Sequence, residues 1–515
     1  MVEIPRSDAP SEGHPRERVS IWLAICLALV PAFIKVLCYP RNVGSDDAYI
    51  HLQIATNFVH GLGWGINPHQ PVNMSTSPAF TLLLAAAILL TQHAIQLIQV
   101  LSVVAVAAGL LLVFFALYSE TGSVHAALFG EVAAAFSVNL WRWNGALMEA
   151  TFAFAAISAT LYAFRRNASN SPLRRLLGGI VLGIGLLLRP EMGIVVVLVL
   201  FVQWMGSEPK KDRLKDAAMV LLGIALPVMP WCIFAWRYLG GVVPTTFAAK
   251  STSHLILFNG TILRRFSESV VESILFPTLL ILLLVLVMRP HIDFADRTKW
   301  LPYVVPVGWV VGLIGFYYLK TPKLESTGRY VLPLLPCEVA VLALIWAGLE
   351  GHLKPWQKRT AVVFIALHVV FSVTLNYKVV MPVLQRFESE YGSTMRAAAE
   401  ELARLAQGNS NTRVLVRSDV GLLSYAGRGR FQICDGGALA TPSLRGLSLG
   451  EQIAQSQPDY VVQSLSETSE GVGPEFPGVL DQLWERRFRQ HGVRVAQPYY
   501  YTIIYRVKKL AMPGG

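Results

Sequence analysis

Two adjacent acids, Asp46 and Asp47, follow an apolar run at residues 20–38 that is long enough to cross a bilayer. They stand near the start of a polar, glycine-rich segment, residues 43–77, close to the point where the chain leaves the lipid. Charge is costly at a membrane, so acids kept there indicate function. One acid would suffice to cap the helix that follows, and we therefore predict that at least one of the two is catalytic. The alternative is that both only interact with the helix dipole.

Two cations flank later apolar runs on the same predicted side of the membrane. Lys250 ends the sequence VVPTTFAAK, and Arg329 stands where another span begins. A lone cation at the end of a span usually extends its charge to the interface. Two cations on the same face as two acids are better explained by an anion-binding site beside a base.

A third acid, Glu149, lies about a turn inside an apolar run, after Trp143 and Asn144. An ionisable residue within the membrane is a candidate functional group. The alternative is an ion pair between Glu149 and an arginine such as Arg189. Arg189 and Glu191, in the sequence RPE between two apolar runs, are predicted to form an internal pair that supports the site rather than catalyses.

The composition is that of a polytopic membrane protein. Of 515 residues, 53% are hydrophobic and 15% are charged, and the mean hydropathy is +0.47. Soluble domains have roughly 25% charged residues. The net charge of +11 comes mostly from short loops between apolar runs, where the positive-inside rule explains it, so we predict no nucleic-acid partner. The five cysteines have no metal-type spacing.

The apolar runs predict about eleven spans, with the N-terminus in the cytoplasm. The short run at residues 78–91 is predicted to be interfacial or partly inserted, because a crossing there would move the arginine-rich loops to different sides. Four polar loops then share the outer face: residues 40–77, 139–144, 240–267 and 320–329. An amphipathic helix is predicted to start at the two acids and to run to His60 in the interface plane, closed by Gly61 and Gly63.

Two domains are predicted, a membrane domain at residues 1–381 and an extracytoplasmic α/β domain at residues 382–515. The second is polar, with a helical pattern in STMRAAAEELARLAQ. Its alternating runs predict four strands, at residues 413–417, 431–434, 460–463 and 501–507. Two acids of this domain, Asp419 and Asp435, fit turn positions as well as ligand positions.

The segment DDAYIHLQIATNFVHGLGWGINPHQPVNMSTSPAFTLLLA resembles the first extracytoplasmic loop of bacterial GT-C glycosyltransferases that use polyprenyl-phosphate sugars. It is most similar to the branch of the actinobacterial terminal arabinofuranosyltransferases. GALMEATF, LLLRPEMG, RYLGGVVPTTFAAKS, GRYVLPLLP and SDVGLLSYAGRGRFQICDGGAL resemble later motifs of that branch, in the same order. Gln53 and Ile54 replace the Arg-Tyr of that branch, and Pro244, Thr245 and Thr246 replace its Pro-Asn-Thr.

The resemblance implies a GT-C fold and inverting sugar transfer at the extracytoplasmic face, in cell-envelope glycan synthesis. Asp46 matches the general base and Asp47 its helper. The candidate ligands of the donor phosphate are Lys250, Arg329 and Tyr330. Glu149 is a candidate for sugar or acceptor binding, together with His51, Asn57, Ser75, Thr76, Trp143 and Asn144.

The resemblance also implies the partners and the location. The partners are a polyprenyl-phosphate sugar, a glycan or other hydroxyl acceptor, and membrane lipids. No cofactor is required, and a divalent metal is compatible with this chemistry but is not predicted. The location is the bacterial inner membrane, with many passes, a cytoplasmic N-terminus and an extracytoplasmic C-terminal domain.

Three other functions are compatible with parts of the sequence. The first is transfer of mannose or another hexose onto protein or lipopolysaccharide. The second is a lipid or sugar transporter or flippase, which should show broken helices or matching halves around a midplane site. The third is a non-catalytic scaffold. Because the polar groups gather at one face beside an outer domain, an interfacial enzyme is favoured.

Overall fold

The protein consists of a bundle of apolar helices followed by a small region that contains a β-sheet. The computed structural model describes residues 15–38, 45–165, 171–206, 210–250, 260–288, 297–320, 328–417, 419–466, 479–489 and 499–508. The helices of the bundle are α1 (Pro15–Cys38), α2 (Asp46–Val59), α3 (Pro78–Leu90), α4 (Ala94–Thr121), α5 (Val124–Ala135), α6 (Val138–Trp143), α7 (Ala150–Ala163), α8 (Pro172–Leu188), α9 (Gly193–Gly206), α10 (Lys210–Leu239), α11 (Thr245–Lys250), α12 (Gly260–Met288), α13 (Arg297–Lys320), α14 (Gly328–Val331), α15 (Leu335–Glu350) and α16 (Pro355–Leu375).

Seven helices in the described part of the chain are long and apolar enough to cross a membrane. Four shorter apolar helices lie between them, Pro78–Leu90, Val124–Ala135, Ala150–Ala163 and Pro190–Met205. The prediction of a polytopic helical membrane protein with a C-terminal α/β region is confirmed. The number of eleven spans stays a prediction, since the shorter helices fall below the length that spanning normally needs.

Helix α2 is the element that joins the two parts of the molecule. Ala48, Leu52 and Ala55, spaced four and three residues apart, belong to the apolar core of the bundle. Ile50 and Ile54 point to another side and pack into the core of the C-terminal region. The sequence pattern predicts an amphipathic helix in the interface plane. Instead, both of its apolar faces are covered by protein.

The bundle continues into the C-terminal region without a break in helical structure. After α16 the chain forms α17 (Met381–Arg386) and α18 (Ser393–Ala406), joined by the π-helical turns Asn376–Val380 and Phe387–Gly392. The predicted domain boundary at residue 382 therefore falls inside one helical segment. Such turns occur mostly as local bulges and often at functional sites.

The C-terminal sheet has five strands in the order β2-β1-β3-β5-β4. They are β1 (Arg413–Arg417), β2 (Gln432–Asp435), β3 (Tyr460–Ser466), β4 (Leu480–Arg489) and β5 (Tyr499–Val507), and α19 (Gly421–Gly427) and α20 (Leu449–Ser456) connect the first three. Strand β1 is parallel to β2 and β3, whereas β5 is antiparallel to β3 and β4. The α19 crossover places its N-terminus against the start of α2.

Candidate active site

Asp46 is the first residue of α2, and its carboxylate is bound by the C-terminal region. The backbone N–H of Gly421 donates to Oδ2 at 2.8 Å, and that of Leu422 donates to Oδ1 at 2.7 Å. The hydroxyl of Tyr391 also donates to Oδ1, at 2.8 Å. Three donors from sequence-distant elements therefore fix the position of this acid.

The surroundings of Asp46 favour its neutral form. Burial away from water and, to a smaller extent, the nearby Asp419 carboxylate together raise the pKa of its carboxyl to about 8. The backbone N–H of Leu422 acts in the opposite direction because it stabilises the carboxylate. A carboxyl with a pKa close to the pH of the medium can both take up and release a proton.

Asp47, the next residue of α2, forms an ion pair with Arg329. Arg329 also donates to the hydroxyl of Tyr330 at 2.7 Å and lies over the ring of that tyrosine. Its side chain is 8% exposed, whereas that of Asp47 is 34% exposed. Two adjacent acids thus have different partners, one in the C-terminal region and one in the bundle.

A second ion pair, between Arg189 and Glu149, adjoins the pair of Asp47 and Arg329. Arg189, between α8 and α9, donates to Glu149 Oε1 at 2.8 Å and to the backbone carbonyl of Arg329 at 3.1 Å. It also lies 3.7 Å from Glu191, and Tyr317 donates its hydroxyl to Glu191. The two pairs form one network, and Glu149 has the arginine partner that was considered as the alternative to a functional role.

Several buried polar atoms of this network have no hydrogen-bond partner among the described residues. Four of these atoms belong to charged side chains that form hydrogen bonds through their other atoms, and the fifth is the indole nitrogen of a tryptophan. They are Glu149 Oε2, Arg189 Nε, Glu191 Oε2, Arg329 Nε and Trp143 Nε1. Buried polar groups are nearly always satisfied in native proteins, so a cluster of exceptions calls for a specific cause. A polar ligand with both donors and acceptors would supply the missing partners.

The outer loops meet around this network. Asn139 donates to the backbone carbonyl of Gly328 at 2.9 Å, and Asn73 donates to the carbonyls of Gly241 and Val242 at 2.9 and 3.0 Å. A Cβ at position 328 would come within 2.8 Å of Trp143 Nε1, so glycine is needed for this approach. In their described residues, the four loops predicted to share one face are therefore joined in two pairs, and the ion pair between Asp47 and Arg329 links the two pairs.

Other candidate residues bind the protein itself. His51 Nδ1 lies 2.8 Å from Thr81 Oγ1 and 3.3 Å from Ser75 Oγ, between α2 and α3. Asn57 donates to the carbonyls of Gly65 and Ile66 and so holds the glycine turn after α2. These contacts hold His51, Ser75 and Asn57 against neighbouring elements, and their part in sugar or acceptor binding stays a prediction.

Three further candidates differ in how they are placed. Asn144 donates to the carbonyl of Pro31 at 2.8 Å and links the end of α6 to α1. Thr76 is half-buried in the loop before α3. Lys250 ends α11, and its side chain lies outside the described part of the chain.

The C-terminal region contributes groups that sequence reasoning did not assign to the site. Tyr391 and the N–H groups of Gly421 and Leu422 contact Asp46, and Asp419 lies close enough to raise its pKa. Gly421, Leu422 and Asp419 belong to the sequence motif SDVGLL, which could have indicated them. No sequence motif indicated Tyr391. Asp435, by contrast, accepts three N–H bonds within its own turn, from Gly437, Leu439 and Ala440. Within the described ranges, no three His, Cys, Asp or Glu side chains are grouped so that they could hold a metal ion.

Comparison with known proteins identifies the fold. No protein-family model matches the sequence, and no curated protein matches it. Among solved structures, ArnT from Cupriavidus metallidurans bound to undecaprenyl phosphate is 13% identical, with a TM-score of 0.58 over 98% of this chain and 100% of ArnT.

Two further structures are similar over most of the chain. The oligosaccharyltransferase AglB from Archaeoglobus fulgidus, in complex with an inhibitory peptide and a dolichol-phosphate, is 12% identical, with a TM-score of 0.53 over 87% of this chain and 69% of AglB. The mycobacterial arabinofuranosyltransferase AftD is 16% identical over 96% of this chain and 40% of its own, and its TM-score of 0.49 is too low to bear on the sugar. The chain shares the fold of the solved structures of ArnT and AglB.

Proposed function

We propose that the protein is an inverting glycosyltransferase that moves a sugar from a polyprenyl-phosphate donor to an acceptor hydroxyl. The reaction takes place at the extracytoplasmic face of a bacterial inner membrane, in cell-envelope glycan synthesis. The sequence motifs favour an arabinofuranosyl donor. The observation that carries the proposal is the network around Arg329 and Arg189, which lies beside the acids at the head of α2. The Nε of each arginine has no hydrogen-bond partner among the described residues.

The arginine network fits the leaving group of this reaction. A lipid phosphate gains negative charge as its bond to the sugar breaks, and guanidinium groups in a water-poor site stabilise that charge. Arg329 can bind a phosphate oxygen through Nε while it keeps its contact with Tyr330. The sequence adds Lys250, at the end of α11, as a further proposed ligand of the phosphate. The neighbouring structures with undecaprenyl phosphate or dolichol-phosphate support a donor of this class.

Asp46 is proposed as the general base. A carboxylate has about four acceptor positions on its two oxygens, and the contacts with Gly421, Leu422 and Tyr391 use three. The remaining position can accept the hydrogen bond of the attacking hydroxyl. As the acceptor oxygen bonds to the anomeric carbon, its proton passes to Asp46 and the bond between the anomeric carbon and the phosphate oxygen breaks.

Glu149 is proposed to orient the substrates. Arg189 binds one of its oxygens, and the other, Oε2, is buried without a partner among the described residues. A sugar hydroxyl that donated to Oε2 would be held beside the phosphate site. Trp143, whose indole N–H also lacks such a partner, is a second candidate for contact with the sugar or the acceptor.

The test is turnover of defined donors by the purified protein in lipid nanodiscs. A panel of polyprenyl-phosphate sugars, including arabinofuranose, mannose and other hexoses, is supplied with glycan acceptors, and mass spectrometry measures free polyprenyl phosphate and the product. We expect one donor to be consumed, and Asp46→Asn to lower its turnover by roughly 10²- to 10⁴-fold. Asp481→Asn is the matched control, because Asp481 binds only Lys508 at the sheet surface in the described structure.

The panel also separates the alternatives. Consumption of a mannose or hexose donor would keep the reaction and replace the sugar. If wild-type protein binds and turns over none of these lipids, the glycosyltransferase proposal is wrong and a transporter or scaffold becomes the better explanation.

A further inference from the structure

A cavity of about 370 Å³ lies at the other end of the bundle from the acids. It is bounded by α4, α7, α8, α9, α13 and α15. Thr160, one of its lining residues, follows Glu149 by eleven residues, which corresponds to about 16 Å along a helix. The cavity is therefore separate from the proposed active site, and its volume falls in the range of roughly 300–1,000 Å³ that is usual for small-molecule sites.

The wall of the cavity is mostly apolar but includes a buried amide that has no hydrogen-bond partner among the described residues. Val113, Leu117, Val199 and Val305 supply apolar surface. Gln203 on α9 also lines the cavity, is 8% exposed, and has no hydrogen-bond partner for its amide nitrogen or oxygen among the described residues. Buried amides are rarely left unpaired, so Gln203 indicates a ligand with its own polar group at this depth.

The charged lining residues carry a net charge of +1, from Arg165, Arg175 and Glu120. Arg165 is held by Ser119 Oγ at 3.0 Å and by the carbonyl of Tyr162 at 2.6 Å. Arg175 lies 3.5 Å from Asp216. Guanidinium groups fixed in this way are suited to a phosphate oxygen, and a phosphodiester carries the single negative charge that matches the lining.

The adjacent surface of α9 is suited to contact with lipid. Val197, Phe201 and Trp204, at helical spacing, are 67%, 46% and 51% exposed. Exposed apolar residues of this size on a bundle helix face the acyl chains of a bilayer. A membrane lipid can therefore reach the cavity from the side.

We propose that this cavity binds one anionic glycerophospholipid. Its phosphodiester lies at Arg165 and Arg175, and one acyl chain fills the apolar part of the cavity. The amide of Gln203 donates to a glycerol ester carbonyl of the lipid or accepts from a hydroxyl of its head group. The lipid contacts α7 and α9, which begin next to Glu149 and Glu191 at the other end of the bundle. This inference does not depend on the proposed sugar transfer.

Native mass spectrometry of the delipidated full-length protein tests the inference. Phosphatidylglycerol and phosphatidylcholine with identical acyl chains are compared, and we expect at least tenfold stronger retention of a single phosphatidylglycerol. Gln203→Leu, which removes the amide but fills the same volume, should abolish this preference. Phe201→Leu on the exposed face of the same helix is the matched control and should retain it.

A second measurement, thermal unfolding of the wild-type protein with each lipid, does not depend on whether the Gln203→Leu variant folds. Phosphatidylglycerol should raise the Tm of wild-type protein, whereas phosphatidylcholine should not. Equal retention of the two lipids by wild type would overturn the inference, and so would a preference that Gln203→Leu leaves intact. Displacement of phosphatidylglycerol by equimolar polyprenyl phosphate would also overturn it, because the cavity would then belong to the donor or its product.

Discussion

The hydroxyl of Tyr391 donates to Asp46 at 2.8 Å, although 345 residues separate the two in the sequence. Tyr391 lies on the helical segment that continues from α16, and Asp46 begins α2. The acid that we propose as the base is therefore positioned by the segment of the chain that follows α16, the last helix of the bundle. This contact makes the C-terminal region part of the candidate active site.

The first prediction concerns Tyr391→Phe. A hydrogen bond to a carboxylate stabilises its charged form, so removal of the hydroxyl raises the pKa of Asp46 above its present value of about 8. A base acts only when deprotonated, so the rising limb of the profile of kcat/KM against pH should move to higher pH. We expect the maximal rate at high pH to be nearly unchanged.

The control for Tyr391→Phe is Tyr425→Phe. Tyr425 lies in the same region and packs on Tyr49 with ring centroids 5.5 Å apart, but no hydrogen bond to Asp46 is present in the described structure. Its profile should match that of wild type. An unshifted profile for Tyr391→Phe, or an equal shift for both variants, would show that Tyr391 does not act on the base.

The second prediction is that docking of the C-terminal region weakens as pH rises. The ordinary carboxyl pKa of 3.8 applies when Asp46 is in water, and burial beside Asp419 raises it to about 8 in the docked state. The docked state therefore binds the proton of Asp46 more tightly than the undocked state does. The stabilisation of the docked state by this proton is fully present below about pH 4 and is lost as the pH rises from there to about 8. Amide exchange of α19, corrected for its intrinsic pH dependence, should increase over this interval.

The variant Asp46→Asn provides the control for this pH effect, since an amide does not titrate. Its α19 exchange should be independent of pH over the same interval. A wild-type exchange rate that stays constant after correction, or that falls with rising pH, would contradict the assignment of the proton to Asp46.

The third prediction concerns the buried ion pair between Arg189 and Glu149. Their side chains are 5% and 7% exposed, and Glu149→Gln would leave the more distant Glu191 as the acidic partner of the guanidinium among the described residues. Loss of a buried partner is expensive, and we expect the variant to lose roughly 2–3 kcal/mol of stability. The measurement is the Tm in detergent.

The exposed pair between Glu401 and Arg404 is the comparison for Glu149→Gln. The side chain of Arg404 is 69% exposed, and solvent screening leaves such a surface pair with little effect on stability. Glu401→Gln should therefore leave the Tm nearly unchanged. Equal Tm values for the two variants would mean that the network around Glu149 does not support the bundle.

Local sequence patterns predicted much of the fold. The helix after Asp46, the glycine turn and strands β1, β2, β3 and β5 all lie at or close to the predicted positions. Strand β4 was missed because it is an edge strand paired only with β5, and its sequence LDQLWERRFR is largely charged and exposed. An edge strand needs only one partner and leaves little apolar alternation in the sequence.

The site was only partly predictable, since its geometry depends on contacts between distant residues. The sequence indicated that Asp47 and Arg329 share a face, but it did not indicate that they pair with each other. Asn67 exchanges two hydrogen bonds with the backbone of Ile433, 366 residues away, and this contact fixes the first loop against the sheet. Neither residue has a local pattern from which such a contact could be inferred.

The fourth prediction concerns Gly421→Ala, which tests whether close docking is needed for activity. A Cβ at this position would overlap the backbone carbonyl oxygen of Asp46 and lie 2.7 Å from its Oδ2, so α19 would have to move away. Both N–H donors to Asp46 would then be lost, and we expect turnover to fall more than tenfold while the helix content of the bundle is unchanged. Gly241→Ala is the control, because a Cβ there meets no atom within 4 Å. Wild-type turnover by Gly421→Ala, with the expected increase in amide exchange of α19, would show that the base acts without these donors. The C-terminal region would then be needed only to exclude water or to bind the acceptor.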